Sequence, residues 1–220
     1  MSPTPTLYGS RQARQADDRS RIGPLLGGTL CLDVVNTVDD HQGAGGTDQL
    51  GSGYVTVLDW FRQAGALDAD AARRLAIRAG REPREAAAAR KRLIALRTAL
   101  YDIVTALIGG EEPPDAALAT LNDEVALARS GERLAPGEPA LAWQDASPQE
   151  LDVPVRAIAR SAAELLTSPR AASIRQCEGP ACQRLFLDAS KNGSRRYCSS
   201  SGCGSQARVR RFRERHRATP

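Results

Sequence analysis

Residues 83–110 read PREAAAARKRLIALRTALYDIVTALIGG, and this stretch decides the fold class. Pro83 stands in the first turn, where a helix loses nothing by its missing N–H. Leu93, Leu96, Leu100, Ile103, Val104 and Leu107 then recur at three- and four-residue steps, lining one face of a helix that Gly109-Gly110 ends. Such a stripe has to be covered by neighbours, so this is the expected central helix of a core. Composition agrees. Of 220 residues 41% are hydrophobic but only 4% aromatic, so the core must draw on Leu, Val, Ile and Ala, which suit packed helices better than a β-sandwich.

Further helices extend on both sides. Pro113-Pro114 restarts the chain into one carrying Leu118, Leu121, Val125 and Ala128 and closing at Gly131, and Pro154 opens another with Val155, Ile158, Ala162, Leu165 and Leu166. Between them, Pro136-Gly137 divides two short segments, the second with Leu141 and Trp143 in alternation, which reads as a hairpin. Upstream, a helix runs from near Val55 through Leu58, Trp60 and Phe61 to Gly65. A second starts at Asp68 as N-cap and passes Leu75 and Ile77 to end near Gly80. The apolar run Leu25 to Val38 fits a strand or a buried helix equally, because periodicity cannot separate the two in a short run. His41 to Gly53 is Gly-rich and reads as a loop. The expected division is a disordered polar leader over residues 1–22, a helical domain over 23–168, and a small unit over 171–220.

That small unit is set apart by charge. From residue 171 onward there are 11 Lys plus Arg against 3 Asp plus Glu, a balance of +8, whereas the whole chain carries +4. An anionic polymer is the expected partner. No run approaches the roughly 18–20 apolar residues of a membrane span. The first residues lack the apolar centre of a secretory signal. A cytoplasmic protein is expected, and in a reducing compartment clustered cysteines hold metal more often than they form disulfides.

The unit contains Cys177-x4-Cys182-x15-Cys198-x4-Cys203. Two close thiol pairs can present four thiolates to one tetrahedral ion, and a closed four-thiolate shell makes bound Zn²⁺ structural rather than catalytic. Gly179-Pro180 and Gly202 supply the turns. Between the pairs, Leu185-Phe186-Leu187 and Arg195-Arg196-Tyr197 flank Asn192-Gly193, a strong hairpin signal. The expected order is therefore knuckle, hairpin, second knuckle, helix, a treble-clef-like finger that depends on its metal. His216 lies too far from Cys203 to be a good substitute ligand. Cys31, alone in an apolar run, reads as a packed core thiol.

Behind Cys203, residues 206–216 place Val209 and Phe212 on one side and Arg208, Arg210, Arg211, Arg213 and Arg215 around the rest. The apolar pair is expected to pack on the zinc core and the arginines to meet double-stranded DNA, whose major groove admits a helix. Lys191, Arg195 and Arg196 would add phosphate contacts.

The residues Cys177-x4-Cys182-x3-Phe186-x-Asp188-x-Ser190-x-Asn192-x2-Arg195-Arg196-x-Cys198-x4-Cys203-Gly204 resemble the CGNR zinc finger. Gly28-x-Leu30-Cys31-Leu32-Asp33-x-Val35-Asn36-Thr37-Val38 resembles the opening of the ABATE domain. The resemblance covers nearly the whole chain past the leader. It implies a bacterial, stress-related transcription regulator whose N-terminal domain binds a small-molecule ligand and whose finger binds DNA. One departure stands out: the finger is named for Cys-Gly-Asn-Arg, and this chain has Cys203-Gly204-Ser205-Gln206.

Three polar residues are candidates for the ligand. Asp33 and Asn36 share a face if their segment is helical, and Arg97 interrupts the stripe of the central helix, so the three could bond one another or a ligand. The leading function is a zinc-dependent DNA-binding regulator with an N-terminal sensor or dimerisation domain. Paired DNA half-sites would favour a homodimer, although no heptad demonstrates one. A finger acting as a protein-binding adaptor is the alternative. An enzyme is disfavoured: the chain has two histidines and neither a phosphate loop nor a nucleophile elbow.

Overall fold

The computed structural model describes residues 23–38 and 47–217. The leader over residues 1–22 and most of the Gly-rich loop lie outside the described residues. Helices are α1 (Leu30–Val35), α2 (Tyr54–Gln63), α3 (Ala69–Arg81), α4 (Pro83–Gly109), α5 (Asp115–Ser130), α6 (Val153–Leu166) and α7 (Cys203–Arg217). Two short antiparallel hairpins complete the fold, β1 (Glu132–Pro136) with β2 (Leu141–Asp145) and β3 (Ile174–Gln176) with β4 (Leu185–Leu187). The chain is mainly α with a small treble-clef-like unit at its C-terminal side, as the sequence indicates.

The central helix is α4. It has Pro83 in its first turn and Gly110 at φ 74° behind its last, and it packs against α1, α2, α3, α5, α6 and β3. Leu93, Leu96, Leu100, Ile103 and Val104 are buried as its period requires, but Leu107 in the last turn is half exposed. Asp68 caps α3 by accepting from the Ala71 N–H at 2.7 Å. The ambiguous N-terminal run becomes the short helix α1, all six residues of which are buried. Packing on every side erases any amphipathic period, which is why its sequence cannot distinguish helix from strand. No side chain of its own caps α1. Ser161 of α6 serves instead, its Oγ accepting from the Cys31 N–H at 3.1 Å. Burial pushes the Cys31 thiol up to about 11, consistent with a packed, unreactive side chain.

The β1–β2 hairpin is fastened at its root. Arg156 of α6, 4% exposed, bonds Asp145 of β2 at 3.0 Å, with Glu150 at 3.0 Å and Asp152 at 2.6 Å beside it. Arg92 of α4 meets Glu124 of α5 through two bonds of 2.9 and 2.6 Å. Charged residues thus sit inside the helical body in pairs, where an unpaired charge would cost several kcal/mol.

In the C-terminal part, the hairpin expected around Asn192-Gly193 does not form. Leu185–Leu187 pairs instead with Ile174–Gln176, in the register Ile174↔Leu187, Arg175↔Phe186 and Gln176↔Leu185, so the first cysteine pair lies in the hairpin connection. The physical reason is Asp188. Its carboxylate accepts from the Ser190 and Arg195 N–H groups, both at 2.9 Å, and so closes residues 189–194 into a loop that pulls Arg195 out of any ladder with β4. Gly193 still turns there, at φ 59°.

The β3–β4 hairpin is built into the helical body. Ile174, Leu185 and Leu187 share one apolar core with Leu32 and Val35 of α1, Leu96 and Leu100 of α4, and Ile158 and Ala162 of α6. The backbone is tied as well as the side chains. The Asn36 amide donates to the Leu185 carbonyl at 2.8 Å and accepts from the Leu185 N–H at 2.9 Å, standing in for a neighbouring strand. The Gly27 carbonyl accepts from the Leu187 N–H at 2.9 Å. A Cβ at Gly27 would lie 2.8 Å from the Leu32 and Asp33 backbone, so only glycine permits this approach.

Candidate metal centre

Each element of the hairpin and its flanks delivers one thiol. Cys177 follows β3 directly, Cys182 lies across a turn closed by its N–H to the Gly179 carbonyl at 2.9 Å, Cys198 ends the Asp188 loop, and Cys203 starts α7. All four Sγ atoms lie within 4.8 Å of one another. A tetrahedral ion with bonds of about 2.3 Å needs sulfur–sulfur edges of about 3.8 Å. Cys182 to Cys198 measures 3.7 Å and Cys198 to Cys203 measures 3.8 Å, so the donor set fits Zn²⁺ in both chemistry and size. Gly179 makes room for it, since a Cβ there would sit 3.1 Å from the Cys203 sulfur.

Two local features of the site stabilise negative charge on sulfur. The Cys198 N–H points at the Cys177 sulfur at 3.3 Å, and Cys203 occupies the N-terminus of a fifteen-residue helix, where the backbone dipole is positive. The thiols titrate unequally. A hydrogen bond from the Cys198 side chain, outweighing burial, brings Cys182 down to about 5. Cys198 is pushed up by holding that bond, by burial and by the neighbouring charge. Cys203 rises to about 11, through burial first and then through Cys182. One thiolate therefore opposes the next, and a dication among them reverses that opposition.

Phe186, fully buried, forms the floor of the cradle with Cys177 and Cys198. The Arg195 guanidinium lies 4.4 Å over its ring, donates to the Tyr197 carbonyl at 3.0 Å and reaches the Cys198 carbonyl. Arg196 pairs with Glu178, next to Cys177, at 2.7 Å. The carboxyl of Asp188 is held below its ordinary value, chiefly by the Ser190 side chain and N–H. Ser199 organises the second knuckle: its Oγ accepts from the Gly202 N–H at 3.1 Å and its carbonyl from the Gly204 N–H at 2.9 Å. Ser199 and Glu178 stand outside the motifs of the sequence. The signals that mark them are a serine three residues before Gly202 and an acid beside the first ligand.

The remaining candidate residues fall into distinct groups. Lys191 is exposed on the Asp188 loop, whereas Arg195 and Arg196 are engaged within the finger and Arg208 donates to the Ser200 carbonyl at 3.1 Å. Arg210, Arg211, Arg213 and Arg215 are exposed along α7. The expected packing of Val209 and Phe212 on the zinc core is not what the structure has: they are 46% and 54% exposed. The buried positions of α7 are Gly204, which lies against the Ser199 carbonyl, and Ala207, and every residue from 208 to 216 is exposed. Small residues let the first turns of α7 sit close to the knuckle, after which the helix runs free of the body. Ser205 and Gln206, the departure from Asn-Arg, lie half-buried and exposed in those first turns. His216 is no part of the thiol cluster; its ring stacks on Phe212 at 3.9 Å between centroids.

Each of the three ligand candidates has protein partners of its own. Asp33 accepts from the Gly27 N–H at 2.7 Å and Asn36 holds β4. Arg97, 6% exposed, bonds Asp48 at 2.7 and 2.9 Å and the Thr37 hydroxyl at 3.0 Å. An apolar gap beside α1 is lined by Cys31, Leu32, Val35, Leu100, Val104 and Leu165 among others, not by these three. Among the described residues no helix is long and apolar enough to cross a membrane.

Residues 28–169 match the ABATE family model, described as "Putative stress-induced transcription regulator". Residues 173–216 match the CGNR zinc finger. No curated relative matches the chain. Both matches are to regulator and zinc-finger families, neither of them enzymatic. The chain binds zinc, as its finger type and thiol geometry require, and it belongs to the ABATE family, carrying a CGNR zinc finger behind the helical body.

Proposed function

We propose that this protein is a cytoplasmic, DNA-binding transcription regulator, in which Zn²⁺ held by Cys177, Cys182, Cys198 and Cys203 fixes the direction of α7. The observation that carries this reading is the free course of α7: residues 208–216 are exposed throughout and include five arginines. A rigid cationic helix standing off a body suits a polyanion with a groove wide enough to admit it. Lys191 on the neighbouring loop would add a phosphate contact. Arg196, already on the surface, would exchange Glu178 for phosphate.

The helical body is then the sensor or dimerisation part, in which an effector acting at Asn36 would have to compete with the contact that holds β4. The test uses the full, zinc-loaded chain and genomic duplex fragments. Affinity should fall steeply as salt rises, and selected fragments would report the target. Absence of duplex binding even at low salt would sink the reading. An adaptor role would then gain. Apart from the finger, the β1–β2 hairpin of the helical body offers an apolar surface of its own, with Leu134, Leu141 and Trp143 55%, 57% and 66% exposed.

A further inference from the structure

The outer half of α7 is ordered around its axis as well as along it. At about 100° per residue, Val209, Phe212 and His216 fall within one sector about 60° wide. Arg208 and Arg215 border that sector on one side; Arg213 and, further round, Arg210 border it on the other. Gly204 and Ala207, the buried positions of α7, lie about 140° away, so the sector faces outward. Glu214 lies on the opposite side of the helix.

The sector carries an aliphatic side chain and an aromatic pair. The Phe212 and His216 rings stack at 3.9 Å with an interplanar angle of 33°, and the His216 Nδ1 meets the Phe212 carbonyl at 2.9 Å, which holds the ring in place. Half-exposed Val209 extends the surface toward the cradle. A stripe framed on both flanks by guanidinium groups is a poor match for an apolar protein groove, because docking would strip water from cations with no counter-charge facing them. It matches a channel with an apolar-tolerant floor and two anionic walls. The major groove of duplex DNA has that form: phosphates of the two strands on either side, and on its floor the 5-methyl group of each thymine.

We infer that α7 enters the major groove by this face, with Val209 and Phe212 contacting thymine methyl groups and so favouring T·A pairs at those positions. Arg208 and Arg215 contact the phosphates of one strand, and Arg210 and Arg213 those of the other. Base preference thus resides in the apolar line, and sequence-blind affinity in the arginine rows. The inference rests on the DNA-binding reading above and names what that helix reads.

The experiment takes the full zinc-loaded chain and its best-bound duplex and replaces thymines one at a time with uracil, which deletes only the methyl group. At one or more positions affinity should drop about three- to fivefold, the worth of removing one buried methyl from contact. In Phe212→Ala or Val209→Ala that drop should vanish, while zinc content and the salt dependence of binding stay as in the parent chain. Arg213→Ala should instead weaken binding to all duplexes alike and reduce the salt slope by about one. Tight duplex binding that is indifferent to every thymine-to-uracil replacement overturns the inference while leaving the DNA-binding reading intact. So does a methyl effect that persists in both apolar variants. Tighter binding to single strands than to the duplex also overturns it, in favour of base stacking on the Phe212–His216 pair. No binding to any nucleic acid removes the parent reading itself.

Discussion

The two ends of the finger are built on opposite principles. Its cradle is sunk into the helical body: Ile174, Leu185 and Leu187 lie in the same core as α1, α4 and α6, and Asn36 bonds both backbone groups of Leu185. Its helix leaves that body after Ala207, and residues 208–216 are exposed. The cradle therefore draws stability from the whole chain, while α7 draws only direction from the cradle. An isolated finger would forfeit half of its core, and a chain without metal would lose the anchor of α7.

The largest test of this contrast is Cys198→Ser. Zinc stoichiometry should fall to zero, and because the core is shared, thermal unfolding of the helical body should move down as well, a loss of at least several kcal/mol. A helical melt that stays put while zinc is lost would mean that the finger and the body fold independently. Next is Asn36→Leu, which leaves the Leu185 N–H and carbonyl buried without partners. Each orphaned group costs about 1–3 kcal/mol, so the denaturant midpoint should fall by an amount worth about 2–6 kcal/mol, with zinc affinity falling alongside. An unchanged midpoint would show the clamp to be incidental.

A smaller effect is expected at Asp48, whose partner Arg97 is anchored in α4. Burial raises the Asp48 carboxyl, but the Arg97 and Leu50 hydrogen bonds and the charges of Arg97 and Arg90 outweigh it, so its folded value lies below the ordinary one near 3.8. A depressed carboxylate contributes stability that is fully present above its unfolded value and is lost as pH falls through the folded one. Stability measured from pH 6 downward should therefore decline in acid, and Asp48→Asn should flatten that decline while lowering stability at neutral pH. Parallel curves for the two proteins would exclude this pair as a contributor. The smallest effects belong to α7. Arg211→Ala and Phe212→Ala should each change folding stability by less than about 0.5 kcal/mol, because both side chains are exposed. A clear fall in melting temperature for Phe212→Ala would indicate that the helix packs on the body after all.

These contrasts also mark how far the residues alone could be read. The stripe of α4, the Asp68 cap and the thiol pairs were legible because each is a local pattern, complete within a few turns of chain. The α1 segment was not, since burial on all sides removes the period that separates helix from strand. Asn192-Gly193 carried a genuine turn signal. The hairpin inferred from it still failed, because the Asp188 carboxylate captured the N–H groups that a second strand would have used. For Val209 and Phe212 apolarity alone misleads: Gly204 and Ala207 are the buried positions of the helix, and the larger residues face solvent. Arg97 and Asn36 stand out in the sequence as polar groups in apolar settings, but their partners, Asp48 and Leu185, lie 49 and 149 positions away.

By itself, then, the order of residues determined the helical class, the four zinc-binding thiols and the concentration of positive charge behind them, all of which follow from short-range spacing and composition. Tertiary structure alone decided which strand β4 pairs with, that the finger shares its core with the helical body, and which face of α7 looks outward. Those outcomes depend on contacts between segments far apart in the chain, and no local pattern encodes a partner more than a hundred residues distant.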